Sequence, residues 1–209
     1  MSAQEITLTV ATGLSLLMLL PVLGQYVELF PSVWSSMFRT SVCIRLEDNK
    51  KAQRRRDRVF LLSIFPYCAL IWQSGVFSPR WMRGVEAPWD LLIIVGVVAL
   101  YCLLRLALER LIPHRKLSTK VYEASVGCQR SFLLVYDFFL LVTLSVLSLC
   151  DASLLVRQMV ILCLTAAFYA LFLVRRFQIF ASNCNFLTAI LYLCALELPP
   201  TALLVVPGF

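Results

Sequence analysis

Three ionisable side chains lie where the surrounding residues offer them no water. Glu197 falls in the apolar run Phe186–Val206, Asp137 in Ser131–Cys150, and Arg105 in Trp89–Leu108. An ionised group at the centre of a membrane helix costs about 2.5–3.5 kcal/mol on the insertion scale, so such positions are where chemistry is sought first. Glu197 stands eleven residues into its run, about 16 Å deep at roughly 1.5 Å per residue. Two positions later Pro199 and Pro200 remove two amide donors and free carbonyls one turn back. A carboxyl group beside a broken helical ladder can bind a cation or carry a proton. It can equally bond to a neighbouring helix and lock the packing.

Asp137 sits about 9 Å into its run, and Arg105, on a run of the opposite sense, falls near the same level. Their spacing predicts an Asp137–Arg105 ion pair, with Arg105 alone reaching the headgroups as the alternative. The other chemistry-bearing types are sparse. His114 is the sole histidine, and H-E-x-x-H, G-x-S-x-G, P-loop and G-x-G-x-x-G patterns are absent. The sequence therefore predicts no catalytic residue, no metal site and no cofactor. The eight cysteines form no C-x-x-C pair and mostly sit inside apolar runs, where they read as small buried hydrophobes.

The elements that must position these groups follow from composition. Of 209 residues, 60% are hydrophobic and 15% charged, with a mean hydropathy of +0.83. Soluble domains are about 45–50% apolar and about 25% charged, so this chain lacks the polar surface a water-soluble fold needs. An integral membrane protein remains. Runs of about 20 apolar residues each span a bilayer core as helix, because lipid leaves every backbone amide to be satisfied within its own segment. The runs are 6–27, 59–77, 89–108, 131–150, 158–174 and 186–206. The expected fold is all-α, a single-domain polytopic membrane helix bundle with six transmembrane helices. A cytoplasmic amphipathic interfacial helix is expected over 32–46, where Trp34, Phe38, Val42 and Leu46 recur every fourth residue and Ser32 can cap.

The first residues, MSAQE, carry no Lys or Arg, and the apolar stretch after them exceeds a signal-peptide core, so it reads as a retained segment. With six alternating spans, sixteen Lys and Arg fall on one side and three on the other. That asymmetry places the basic loops in the cytoplasm and both termini outside it. The net charge of +7 lies beside apolar segments, which favours lipid headgroups over nucleic acid as a partner. Lys50, Lys51, Arg54, Arg55, Arg56 and Arg58 are the candidate contacts to anionic lipid, at about 1 kcal/mol per basic residue near such a surface. The alternative is an ordinary inside anchor.

The C-terminal run FLTAILYLCALELPPTALLVV, the Arg175-Arg176-Phe177 before it, and the loop FRTSVCIRLEDNKKAQRRRDRVFLLS (Phe38–Ser63) resemble a Bacteroidota family of inner-membrane proteins of unknown function. Leu191, Tyr192, Leu193, Cys194, Leu196 and Glu197 carry the match to its Leu-Tyr-Leu-Cys-x-Leu-Glu signature. The resemblance implies a bacterial inner membrane and adds no mechanism. The function expected from the residues is a non-enzymatic scaffold or accessory subunit of a cell-envelope complex, with an unidentified membrane protein as partner. The alternative is a small proton- or cation-coupled transporter centred on Glu197. An intramembrane enzyme acting on lipid would need a second carboxyl or a nucleophile facing Glu197.

Overall fold

The structure is a computed structural model that describes residues 3–77, 87–111, 119–182 and 186–205. Among these the chain forms seven helices and no strand: α1 (Ala3–Phe38), α2 (Thr40–Asp48), α3 (Lys50–Ser74), α4 (Trp89–Leu111), α5 (Thr119–Leu149), α6 (Leu154–Ala181) and α7 (Phe186–Val205). His114, Arg80, Arg83 and Cys184 lie outside the described residues.

Four helices among the described residues, α1, α4, α5 and α6, are long and apolar enough to cross a membrane, where the sequence pattern predicts six. For one of the two expected spans outside that set, α3, the sequence gives the cause. Its first third is the basic segment KKAQRRRDR, and its apolar part is diluted by Pro66, Tyr67, Trp72 and Gln73, so length and apolarity do not coincide. In the helices that qualify, large apolar side chains cover the outside: Leu17, Leu20, Leu100, Leu103, Leu155 and Leu171 are all more than half exposed. That is the distribution lipid selects, because a bundle in hydrocarbon gains nothing by turning leucine inward.

The expected interfacial helix over 32–46 is not one element. Residues 32–38 complete α1, and α2 begins at Thr40. Pro31 inside α1 lacks the amide that would bond one turn back, yet the helix runs through it. A ladder of i, i+4 aromatic contacts spans the proline, with Phe30 and Trp34 ring centroids 6.2 Å apart and Trp34 and Phe38 5.4 Å apart. The break comes instead at Arg39, which is extended. The break between α2 and α3 comes at Asn49, whose Oδ1 accepts from the amides of Lys51 and Ala52, both at 3.2 Å. This is N-capping by a side chain whose carbonyl mimics the missing turn.

Helix directions follow from paired contacts. Tyr136 meets Thr165, Phe132 meets Phe172 and Ser125 meets Arg176, so α5 and α6 run antiparallel. Arg56 meets Gly127 and Tyr67 meets Tyr136, so α3 and α5 run together. Trp72 bonds to Asp90, and Cys68 and Ile94 pack in one cluster, so α4 returns against α3. The beginnings of α3 and α5 and the ends of α4 and α6 therefore share one end of the bundle, and with them Arg56, Arg105, Arg130, Arg175 and Arg176. At the opposite end α3 stops at Gly75, whose φ of +64° is left-handed and suits the residue without a Cβ. Its carbonyl accepts from Gln158 Nε2 at 2.7 Å, tying α3 to the start of α6.

The main core gathers Val33, Met37, Cys43, Val59, Phe132, Val135, Ile179 and Phe180 from α1, α2, α3, α5 and α6. On α5 the wholly buried Ala124, Ser125, Cys128 and Ser131 form a small-residue stripe. Small side chains at helical spacing let neighbouring backbones approach closely. Gly127 is its tightest point, because a Cβ there would collide with the Glu47 carboxylate and the Arg56 guanidinium.

Candidate functional site

The expected Asp137–Arg105 pair is not formed. Arg105 instead grips Glu197: Nη2 donates to Oε1 at 2.6 Å and Nη1 to Oε2 at 3.1 Å. Nη1 also donates to the Tyr101 hydroxyl, one turn earlier on α4, at 3.1 Å. Arg176, from the last turns of α6, makes a second ion pair with Glu197 Oε1. All three side chains are buried, Glu197 and Arg176 completely. A planar guanidinium that meets a carboxylate with two donors gains geometry as well as charge, and this explains why α4 presents Arg105 to α7 rather than to Asp137.

Arg176 is itself held on several sides. Its Nε donates to the Ser125 hydroxyl on α5 at 2.9 Å. Its guanidinium carbon lies 5.8 Å from the Phe172 ring centroid and 5.6 Å from that of Phe180, one turn before and one after it on α6. Aromatic faces stabilise a desolvated cation electrostatically. One carboxylate thus links α4, α6 and α7, and through Arg176 the link extends to α5.

Asp137 lies elsewhere. It is half-buried on α5, and its buried Oδ1 has no hydrogen-bond partner among the described residues. The hydroxyl nearest in sequence, Tyr136, is engaged with Thr165 Oγ1 at 2.7 Å.

The basic cluster on α3 divides into two faces. Arg56 is wholly buried and turns inward to an ion pair with Glu47 of α2, and its Nη1 reaches the Gly127 carbonyl at 3.3 Å. Burial opposes charge on Arg56, but the hydrogen bond and charge of Glu47, joined by Asp57, outweigh it and raise the guanidinium's pKa above its ordinary value. Asp57 extends the network to Arg130 of α5 at 2.7 Å. Arg56 is therefore an internal tie and not a lipid contact, which corrects the sequence expectation. Lys50, Lys51, Arg54, Arg55 and Arg58 lie together along a cleft against α1 that Gln25 and Glu28 complete. Of these, Arg55 pairs with Glu28 at 3.0 Å, both well exposed.

Sequence reasoning missed Arg176, Ser125, Glu47 and Gly127. Arg176 reads as an ordinary charge at a helix end. A signal for Gly127 was present in the spacings Ala124-x-x-x-Cys128 and Gly127-x-x-x-Ser131. Among the described residues no three His, Cys, Asp or Glu side chains come together as a metal site would require. The seven described cysteines carry free thiols, and Cys43, Cys68 and Cys128 are buried. Cys43 donates to the Ala124 carbonyl at 3.1 Å.

The features above define a class: a helical chain with four apolar helices long enough to cross a membrane, in which Arg56, Arg105, Arg176 and Glu197 are buried in ion pairs between helices. Within that class the chain belongs to the family described as a domain of unknown function, DUF4271, whose model matches residues 8–206. Neither the curated proteins nor the solved structures contain a match to it.

Proposed function

We propose that the protein is a multi-pass protein of a bacterial inner membrane that acts as a scaffold or accessory subunit of an envelope complex. The observation that carries this reading is the Arg105–Glu197–Arg176 link. A transporting carboxylate must release and rebind its proton or cation, and the oxygens of Glu197 are instead occupied by fixed guanidinium donors. A carboxylate bridged by two guanidinium groups suits a residue that holds helices in place, and it disfavours the carrier centred on Glu197. The groups described on Glu197 are the two cations Arg105 and Arg176, whereas an enzyme acting on lipid would need a second carboxyl or a nucleophile there.

The gathering of arginines at one end of the bundle supports a cytoplasmic setting for that end, since basic residues are retained on the cytoplasmic face. In that setting α3 and α7 sit in the membrane with the four apolar helices, shielded on one flank by them.

The test has two parts. Purification of the tagged full chain in mild detergent is expected to bring down a membrane protein in stoichiometric amount. Reconstitution of the chain alone in liposomes is expected to give no proton or cation flux. Flux that Glu197→Gln abolishes, in protein that remains folded, would overturn the proposal.

A further inference from the structure

We infer that the cleft between α1 and the beginning of α3 is a binding site for the phosphate headgroup of an anionic phospholipid. The inference rests on the membrane setting proposed above and assigns a ligand to one place in it.

The cleft is open to its surroundings and has room for about 660 Å³, within the roughly 300–1,000 Å³ typical of small-molecule sites. Lys50, Lys51, Arg54, Arg55 and Arg58 line it, and the one acid on its wall is Glu28. Lys50, Lys51, Arg54 and Arg58 are exposed, so their donors are free to turn toward a ligand. One polar group on the wall lacks a partner: Gln25 Oε1 is buried without a hydrogen bond among the described residues. A glycerol or headgroup hydroxyl would supply the missing donor. A concentration of cations facing one carboxylate attracts an oxyanion, and arginine in particular matches phosphate oxygens with paired donors.

The source of the phosphate is fixed by what borders the cleft. Arg54, Arg58 and Leu61 recur at spacings of four and three on α3, which puts them on one helix face. Leu61 is 65% exposed. A ligand with its phosphate among the arginines thus meets an uncovered apolar surface one turn away, which fits an acyl chain and does nothing for a soluble phosphate. Arg56, on the opposite side of the same helix, is committed to Glu47, so the site is one face of α3 and not its whole basic run.

The test is lipid retention by the full chain in a zwitterionic detergent, with added dilauroyl phosphatidylglycerol or dilauroyl phosphatidylcholine, read by native mass spectrometry. Wild-type protein is expected to retain the anionic lipid in preference. Lys51→Gln, Arg54→Gln and Arg58→Gln are expected to weaken retention about fivefold each, following the usual contribution of a basic residue at an anionic surface. Glu28→Gln removes the acid and is expected to strengthen it. Arg45→Gln deletes an equal charge on an exposed position of α2 outside the cleft and is expected to leave retention unchanged. Wild-type retention by a variant that combines Lys51→Gln, Arg54→Gln and Arg58→Gln, or an equal loss in Arg45→Gln, would overturn the inference. Full displacement of the lipid by an equal concentration of inorganic pyrophosphate would also overturn it, in favour of a soluble anion. Alkaline carbonate extraction of membranes separates the two claims: release of the chain sinks the membrane reading, whereas a chain that stays embedded without lipid preference sinks only this one.

Discussion

Arg105 of α4 and Glu197 of α7, ninety-two residues apart in sequence, meet through two hydrogen bonds of 2.6 and 3.1 Å inside the bundle. Burying two opposite charges stabilises little on balance, because desolvation offsets the attraction, but removing one partner strands the other. Here Glu197 serves two arginines. Glu197→Gln is therefore expected to destabilise the protein by about 3–5 kcal/mol, measured as denaturant unfolding in detergent followed by tryptophan fluorescence. Arg105→Gln combined with Glu197→Gln should cost less than the two changes summed. Strict additivity would show that the pair is not a unit.

Asp137 behaves in the opposite way. Its half-buried carboxyl group has one buried oxygen, Oδ1, with no hydrogen-bond partner among the described residues, and it makes no bond to Arg105. An unmet buried polar atom costs about 1–3 kcal/mol. Asp137→Leu is expected to stabilise the fold by about 1 kcal/mol. Asp137→Asn and Arg105→Gln together should add to within about 0.5 kcal/mol, as independent sites do. A coupling well above that in the double-mutant cycle would restore the pairing that sequence spacing predicts.

Gly127 of α5 leaves room for the buried ion pair between Glu47 of α2 and Arg56 of α3. Adding a methyl group there forces the Glu47 carboxylate and the Arg56 guanidinium away from each other. Overpacking of this kind costs about 1–3 kcal/mol, and here it also loosens a buried ion pair. Because the groups that must move are side-chain ends, Gly127→Ala is expected to lower stability by about 1 kcal/mol, the low end of that range. Glu47→Ala placed on top of Gly127→Ala should then cost much less than Glu47→Ala alone, since the pair is already disturbed. Equal costs in both backgrounds would separate Gly127 from the ion pair.

Why some of this was legible in sequence and some not is a matter of range. Apolar runs identify α1, α4, α5 and α6 because helix formation in lipid depends on a contiguous stretch, and that is local information. The value of Glu197 as a buried charge was legible for the same reason. Its partners were not: depth along a helix brings Asp137 and Arg105 to one level but says nothing about rotation, and a guanidinium turned by a third of a turn finds a different helix. The basic run on α3 shows the same limit. Arg56 and Arg58 are indistinguishable by composition, yet at about 100° per residue they stand on different faces, one closing on Glu47 and the other lining the cleft. The boundary at residues 32–46 failed because period-four aromatics mark a helix face without marking where the helix begins. Phe30, Trp34 and Phe38 continue one ladder across Pro31.

At the end of the bundle away from the arginine cluster, Trp72 closes the contact between α3 and α4. Its Nε1 donates to Asp90 Oδ2 at 2.5 Å, while Oδ1 of the same carboxylate accepts from the Leu91 amide at 2.8 Å. Asp90 is thus a first-turn acid on α4, where the helix dipole favours negative charge, and it is also the anchor for a ring on the neighbouring helix. A hydrogen bond to a charged group contributes about 1.5–3 kcal/mol. Trp72→Phe keeps most of the apolar packing against the Cys68–Ile94 cluster and loses the donor, so it is expected to cost about 2 kcal/mol. Asp90→Asn keeps an acceptor oxygen, loses the charge, and is expected to cost less than half as much. The order of the two unfolding midpoints checks this, and an Asp90→Asn variant less stable than Trp72→Phe would show that the carboxylate serves the α4 terminus before it serves the ring.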